Sequence, residues 1–171
     1  MKQIFFMVFA VLLCISCNNN PLSMTGDTGK DSTVQKNLEA FDAVIQTFQT
    51  GDASKIDNVV AADFVDHTES GDKGRDSLKA EIVMMHDKFP NMKTEVINET
   101  AGDDYVYGWM RYSGTSDGGM GMPKGPFNMT GIELVKFKDG KATEHWYFMQ
   151  PQDMMNMMGP QPGMEPKDST K

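Results

Sequence analysis

The spacing of apolar residues changes once along this chain, at Pro90, and this change restricts the fold more than any other feature. Before Pro90, apolar residues recur at intervals of three and four, which is typical of helices with one buried face. After Pro90 they alternate with polar residues, as in strands of a sheet that is covered on one side. The sequence therefore predicts an α+β domain in which three N-terminal helices pack on a curved four-stranded antiparallel sheet.

Three amphipathic segments make up the predicted helical half. The first helix is expected to start after Ser32 or Thr33, which are good N-cap residues, and to end at Gly51. The second is expected over about 53–61. The third is expected over about 75–89, where a proline follows and stops it.

Four segments rich in β-branched and aromatic residues make up the predicted sheet. Asp139-Gly140 is expected to join the last two as a tight hairpin turn, because both residues tolerate positive φ. The glycine-rich stretch 116–125 predicts a long, mobile loop over one mouth of the sheet. Residues 63–68 are compatible with a short strand or a loop. The predicted strands are residues 92–100, 105–115, 127–138 and 142–150.

The first 16 residues have the features of an export signal. One positive charge, Lys2, precedes an apolar run over residues 4–15, which is shorter than the about 20 residues needed to span a bilayer. Ser16-Cys17 resembles the end of the lipobox of bacterial lipoproteins, which implies cleavage before Cys17 and lipid attachment to it. A plain cleaved signal peptide is the alternative. Asn18 replaces the aspartate that retains many such proteins at the inner membrane, so an outer-membrane location is expected.

Charge and composition restrict the partners and divide the remaining chain. Removal of Lys2 with the signal changes the formal net charge from −8 to −9, which argues against nucleic acid as a partner. No free cysteine remains after processing, so stability must come from burial rather than from disulfides. The composition predicts a flexible tether over 17–33, one domain over 34–153, and a Met- and Pro-rich disordered tail over 154–171.

Six short motifs follow one another along the predicted domain. They are Asp66-His67-Thr68, Phe89-Pro90-Asn91, Gly114-Thr115, Thr130-Gly131, Asp139-Gly140-Lys141 and Glu144-His145-Trp146. Their order and spacing resemble the SnoaL-like polyketide cyclases of the NTF2-like superfamily. The resemblance covers residues 34–150 and implies a cone with one deep pocket for a small hydrophobic molecule. It also implies that no metal or other cofactor takes part, and that two copies often form a homodimer through their sheets.

A histidine and a glutamate are the candidate catalytic residues. A pocket that enolises a carbonyl compound needs a base that titrates near the working pH and a hydrogen-bond donor for the developing oxyanion. His67 fits the base because imidazole titrates in this range, and Asp66 or Glu144 is expected to orient it. The resemblance places His67 where ketosteroid isomerases have their carboxylate base.

Alternation assigns the aromatic side chains near the candidate site to faces of the sheet. Glu144 and Trp146 share one face of the last predicted strand and are expected inside the pocket, which leaves His145 outside or at a sheet interface. Tyr107 and Trp109 share one face of an earlier strand and suit an apolar ligand with one polar end. Core packing or a dimer interface is the alternative for these rings. The candidate ligand-binding residues are Asp66, Tyr107, Trp109 and Trp146.

Two functions stay open from the sequence. A binding module for a small hydrophobic molecule is favoured, because Gln150 stands where the resemblance implies an acidic residue. The alternative is a cyclase, isomerase or hydratase that uses His67 as acid and base.

The methionines suggest a third possibility. The chain contains 16 methionines, and thioether clusters can bind Cu(I). The same side chains are also suited to packing over a cavity. The methionines concerned are Met120, Met122, Met154, Met155, Met157, Met158 and Met164.

The lipid anchor can be tested with a single substitution. Cys17→Ser removes the thiol that would carry the lipid, so the variant is expected to move from the membrane fraction to the soluble fraction of the cell envelope. Fractionation of cells expressing each form, followed by immunodetection, measures the change. A variant that stays with the membrane would contradict the anchor.

Overall fold

The computed structural model describes residues 28–120 and 122–158. The predicted signal peptide, Cys17, most of the predicted tether and the chain beyond Met158 therefore lie outside the described residues. Within the described part, none of the helices combines the length and the hydrophobicity needed to cross a membrane.

The described residues contain four α-helices and one short 3-10 helix. They are α1 (Thr28–Thr50), the 3-10 helix (Ala53–Lys55), α2 (Ile56–Val59), α3 (Arg75–Lys88) and α4 (Pro151–Met158). The first three α-helices correspond to the predicted ones, whereas α4 was not predicted. Ser32 and Thr33 lie inside α1 rather than at its N-cap. The end of α1 is as predicted, because Gly51 has a φ of 71° and its N–H donates to the Thr47 carbonyl at 2.8 Å.

Six strands form one sheet, with β2, β1, β6, β5, β4 and β3 side by side in that order. Four of them match the predicted strands to within two residues, and β1 and β2 are additional. The prediction of a four-stranded antiparallel sheet is therefore wrong, since there are six strands and β1 runs parallel to β6. The strands are β1 (Val60–Thr68), β2 (Gly71–Gly74), β3 (Lys93–Ala101), β4 (Tyr105–Ser116), β5 (Gly125–Lys138) and β6 (Lys141–Met149).

The two additional strands carry a weak sequence signal. β2 reads Gly-Asp-Lys-Gly and is exposed throughout, so it has no apolar residue to reveal it. In β1 the buried residues are Val60, Phe64 and Asp66, and its register against β6 shifts between Val60 and Val65. This shift interrupts the period of two on which strand prediction depends.

The core lies between the helices and one face of the sheet, which is called the inner face here. Phe41 of α1 lies over Gly108 of β4, where an added Cβ atom would come within 2.5 Å of the Phe41 ring. Ile82 of α3 and Met110 of β4 are fully buried in the same cluster. Because neighbouring residues of a strand alternate, Val106, Gly108, Met110 and Tyr112 all belong to the inner face.

After a register shift between Lys136 and Phe137, the β5–β6 hairpin closes with the predicted Asp139-Gly140 turn. Both residues have positive φ, 53° and 75°, as a two-residue hairpin turn of this type requires. The pairing of β5 with β6 stops at Gly131 and Met149, and the chain then enters α4. The predicted domain boundary at residue 153 therefore falls inside a helix, and residues 154–158 are helical rather than part of a tail.

Candidate functional site

β1 and β6 lie side by side, and each contributes two consecutive polar residues at the same level. Asp66 is paired with His145 in the register, and His67 and Glu144 are their immediate neighbours. Since consecutive side chains of a strand point to opposite faces, these four residues separate into two clusters. Asp66 and His145 lie on the inner face, and His67 and Glu144 lie on the outer face.

The inner cluster consists of Asp66, Tyr112, Glu133 and His145. Nδ1 of His145 lies 2.7 Å from a carboxylate oxygen of Asp66, and Nε2 of the same ring contacts one carboxylate oxygen of Glu133. The other carboxylate oxygen of Glu133 accepts a hydrogen bond from the Tyr112 hydroxyl. Four strands thus supply one continuous chain of hydrogen bonds in which the imidazole lies between two carboxylates.

This arrangement keeps His145 protonated. Burial alone would lower the pKa of His145, but the hydrogen bonds and charges of Asp66 and Glu133 outweigh it and raise the pKa to about 10. Both ring nitrogens therefore act as donors, and the ring carries a positive charge at neutral pH. Glu81 of α3 faces the cluster, and burial together with the negative charge of Asp66 raises its pKa. Burial and the charge of Glu133 also raise the pKa of Tyr112.

Tyr147 closes one side of the inner cluster. Its ring meets the Tyr112 ring edge to face, with centroids 6.0 Å apart and an interplanar angle of 81°. The ring lies over Gly131, where an added Cβ atom would come within 2.4 Å of it. Glycine at this position therefore allows a tyrosine from the neighbouring strand to reach the inner cluster.

The outer cluster contains the predicted catalytic pair. Nε2 of His67 lies 3.2 Å from Glu144, and its Nδ1 lies 2.9 Å from Asp72 of β2. The His67 ring stacks on Trp146 with a centroid distance of 4.7 Å, and Lys136 contacts Glu144 at 2.7 Å. The hydrogen bond that His67 makes to Glu144 raises the pKa of His67, and Lys136 and His67 together lower the pKa of Glu144. This cluster faces away from the helices.

The predicted placement of the last strand is wrong. Glu144 and Trp146 were expected inside and His145 outside, whereas the hairpin register pairs His145 with Val135, a residue that packs against the core. It pairs Trp146 with Leu134 on the other face. The predicted contact between His67 and Glu144 does exist, but it is on the outer face. A catalytic role for these two residues stays a prediction.

Asp66 alone among the predicted ligand-binding residues belongs to the inner cluster. Tyr107 and Trp109 lie on the outer face and are 46% and 45% exposed. They belong to a group of six large side chains that covers the outer face of β4, β5 and β6. In the register, the group forms two cross-strand rows, Trp109-Ile132-Phe148 and Tyr107-Leu134-Trp146.

Sequence reasoning missed three members of the inner cluster, Tyr112, Glu133 and His145. A signal for two of them exists in the alternation of the strands. Glu133 shares a face of β5 with Val135. Val135 and Val106 are directly paired, and Val106 shares a strand face with Tyr112. Choosing the face by these aliphatic residues would have brought Tyr112 and Glu133 together. His145 joins them because the register shift in the β5–β6 hairpin pairs it with Val135, where an unbroken count from the turn would place Glu144.

The methionines do not form a single group. Met120, Met154 and Met155 are exposed, whereas Met122 is buried. Met122, Met129 and Met157 line a cavity of about 280 Å³ at the end of the sheet where β5 begins. Within residues 28–120 and 122–158, no three His, Cys, Asp or Glu side chains are arranged to hold a metal ion. Copper binding stays a prediction.

The sequence profile of the SnoaL-like polyketide cyclases matches residues 38–157, which is most of the described chain. The protein belongs to this family, and its mixed α+β architecture with a curved sheet is the NTF2-like fold. Membership suggests a ligand-binding or a cyclase/isomerase function. No functionally curated protein sequence is significantly similar to the chain.

Solved structures agree with the fold. TsrD from Streptomyces laurentii is similar with a TM-score of 0.62 and 20% identity, over 75% of this chain and 96% of that one. Wild-type IdmH from Streptomyces antibioticus has a TM-score of 0.60 and 23% identity, over 69% and 94%. A SnoaL-like polyketide cyclase from Agrobacterium tumefaciens has a TM-score of 0.62 and 11% identity, over 72% and 98%. At such low identity these similarities establish the fold alone.

The charge on His145 predicts how stability depends on pH. Its pKa is about 10 in the folded protein and about 6.5 in the unfolded chain, so folding takes up a proton between these values. The stabilisation is complete below about pH 6.5 and is lost as the pH rises through about 10. We expect the free energy of unfolding in urea to fall more between pH 7 and pH 10 for the wild type than for His145→Gln. Parallel pH profiles for the two proteins would contradict the charged imidazole.

Proposed function

We propose that this protein binds a small, largely apolar molecule with a carbonyl group and moves a proton on it at the inner cluster. The observation that carries the proposal is the protonated His145 held between Asp66 and Glu133, with the Tyr112 hydroxyl on the second carboxylate. This group of side chains contains a carboxylate that can accept a proton and two donors that can stabilise an oxyanion.

The roles of these residues follow from the atoms that they present. A substrate carbonyl oxygen that replaces Glu133 as the acceptor would take hydrogen bonds from the Tyr112 hydroxyl and the imidazolium. Glu133 is then free to remove a proton from the adjacent carbon, so the C–H bond breaks and its electron pair forms an enolate. Asp66 holds His145 in its charged form throughout. Return of the proton at another carbon gives an isomer.

Family membership adds a ring closure to this chemistry. The enolate carbon can attack a second carbonyl of the same molecule, which forms a carbon–carbon bond and leaves an alkoxide that takes the proton back from Glu133. No atoms are gained or lost, so the product is a cyclic isomer of the substrate. This is the reaction class expected of a polyketide cyclase.

The charges around the inner cluster indicate which polar groups a substrate can carry. Asp66 and Glu133 contribute two negative charges against the single positive charge of His145, and Glu81 faces the same space. A carboxylate or phosphate would be repelled there, whereas a neutral carbonyl or hydroxyl would not. The proposed substrate is therefore neutral at its reacting end.

A binding module without catalysis is the second candidate. It is favoured by the fact that both nitrogens of His145 and both oxygens of Glu133 already have partners within the cluster. In this case the cluster would hold β1, β6, β5 and β4 together and shape the pocket without transferring a proton.

Proton exchange on a neutral bicyclic ketone distinguishes the two candidates. We expect the wild type to accelerate exchange of the α-protons of 2-tetralone with D₂O, followed by ¹H NMR. Glu133→Gln should lower the acceleration by about 100-fold or more, which is the usual effect of losing a general base. His67→Gln, on the outer face, is the matched control and should stay within about twofold of the wild type.

Two results would contradict the catalytic proposal. Wild-type rates in Glu133→Gln would remove the proposed base, and a large loss in His67→Gln alone would move the chemistry to the outer face. Binding of the ketone without any acceleration would support the binding module.

We also propose that the protein acts in the cell envelope, where Cys17 would hold it at the outer membrane. The length of chain between Cys17 and α1 would then separate the domain from the lipid surface. A secreted location without an anchor is the alternative, and the fractionation of Cys17→Ser distinguishes the two.

We propose a homodimer formed through the outer face. The six large side chains in two rows on β4, β5 and β6 make a continuous apolar surface of the kind that an interface covers. Trp109→Glu is expected to shift the protein to the monomer in sedimentation velocity experiments at micromolar concentration. Val83→Glu on α3 is the control, since Val83 is exposed to the same extent, 46% against 45%. A wild-type monomer, or equal effects of both substitutions, would contradict the interface.

A further inference from the structure

We propose that the methionine-lined cavity beneath α4 binds the apolar ring system of a neutral molecule whose oxygen reaches the inner cluster. This inference rests on the proposed function, because it assigns the body of the substrate to a second part of the same site. The cavity has a volume of about 280 Å³, close to the lower end of the range for small-molecule sites.

The cavity exists because β5 is longer than its neighbour. β6 ends at Met149, opposite Gly131, so residues 125–130 of β5 have no strand beside them on that side. α4 takes the place of the missing strand. Asp153 attaches it by accepting hydrogen bonds from the backbone N–H of Thr130 at 3.0 Å and from its hydroxyl at 3.4 Å.

One face of α4 covers the cavity and the other faces solvent. Asp153, Asn156 and Met157 line the cavity, and their spacing of three and four residues places them on the same side of the helix. Met155 lies on the opposite side and is 44% exposed, whereas Met154 is nearly one turn from Met157 and lies on the flank of the helix. The helix thus provides a cavity methionine, Met157, and a surface methionine, Met155, two residues apart.

The lining combines an apolar part, which suits a flat ring system, with polar side chains from Lys124, Asn128, Asp153 and Asn156. Met122, Met129 and Met157 contribute flexible, polarisable thioethers, which adapt to the shape of a ligand and pack well against aromatic rings. Phe127 contributes a ring on the inner face. A single Cu(I) ion needs only a few sulfur atoms around one point, and the cavity is much larger than that. Its size therefore favours a molecule over a metal ion.

The inner cluster lies farther along β5 on the same face as the cavity, and none of its four residues is part of the cavity lining. Met129 is paired directly with Tyr112 across β4 and β5, and both lie on the inner face. Tyr112 in turn donates to Glu133, four residues along the strand from Met129. Tyr147 lies over Gly131, between the two sites. A ring system in the cavity would therefore place an attached oxygen near the Tyr112 and Tyr147 hydroxyls.

The probe for this inference is 2-naphthol, which has a flat ring system and one neutral hydroxyl and has the shape of the enol of 2-tetralone. It is added to protein labelled with ¹³C in the methionine methyl groups. We expect ring-current shifts of the Met122, Met129 and Met157 methyl signals, and none for Met155. Assignment comes from single methionine-to-leucine substitutions.

Binding affinities of two variants complete the experiment. Met157→Glu is expected to weaken binding of 2-naphthol by about tenfold or more, because a carboxylate would replace a thioether in the apolar part of the cavity. Met155→Glu introduces the same charge on the exposed side of α4 and should change the affinity by less than about twofold. 2-Naphthoate, with the same rings and a negative charge, should bind at least about tenfold more weakly than 2-naphthol, because its charged end would face Asp66 and Glu133 rather than Lys124 of the cavity lining.

Each outcome bears on the inference. Absent shifts at the three cavity methyls, equal effects of the two glutamate variants, or tight binding of 2-naphthoate would overturn it. If Cu(I) shifts the cavity methyl signals and 2-naphthol does not bind, the cavity is a metal site rather than a site for a small molecule. If Met157→Glu does not fold, the methyl spectra of the wild type decide alone. If 2-naphthol shifts the three cavity methyl signals but Glu133→Gln keeps full exchange activity, the cavity binds its probe and the proposed acid–base chemistry is refuted.

Discussion

The hydrogen bonds of His145 with Asp66 and Glu133 are the interaction on which the rest of the structure depends. They connect β1, β6 and β5 across the inner face, and the Tyr112 hydroxyl extends the connection to β4. β1 pairs with β6 in parallel through only four residue pairs, with a shift between Val60 and Val65, whereas β5 and β6 share eight residue pairs. A charged hydrogen bond at this position holds β1 where backbone bonds alone are fewest.

The same interaction determines which chemistry the inner cluster can support. A buried imidazolium is stable only next to negative charge, and here that charge comes from two carboxylates. One of them, Glu133, also accepts a hydrogen bond from the phenol of Tyr112. The two donors, Tyr112 and the imidazolium, therefore already contact the acceptor, Glu133. Such a site is preorganised for an oxyanion and for the proton that accompanies its formation. The excess of negative charge then favours substrates whose reacting group is neutral.

The strand pair β1 and β6 carries a second histidine on the outer face, and comparison of the two is informative. His67 also lies between two carboxylates, Asp72 and Glu144, but it is accessible to solvent and stacked on Trp146. It lies beside the large apolar side chains of the outer face rather than in the inner cluster. The alternation of the backbone thus places adjacent residues of one strand in two different environments.

Most of the fold could be predicted from the sequence, because the apolar periods around Pro90 and the Asp139-Gly140 turn are strong local signals. β1 and β2 could not be predicted with confidence, since β2 has no apolar residue and β1 loses its alternation at the register shift. The face of β6 was misassigned for a physical reason. Trp146 is large and aromatic, which suggests burial, yet it lies on an outer face covered with similar rings. The carboxylates that surround a buried charge, such as Glu133, come from other strands, so they follow from the tertiary structure rather than from the local sequence.

The protonation state of His145 tests this account most directly. In protein labelled with ¹⁵N at histidine, the His145 signals can be identified by their loss in His145→Gln among the three histidines of the chain. The account predicts that both ring nitrogens of His145 carry protons at pH 7.5 and keep them until the pH approaches about 10. A neutral ring at pH 7.5, with one bare nitrogen and a transition near 6.5, would contradict it.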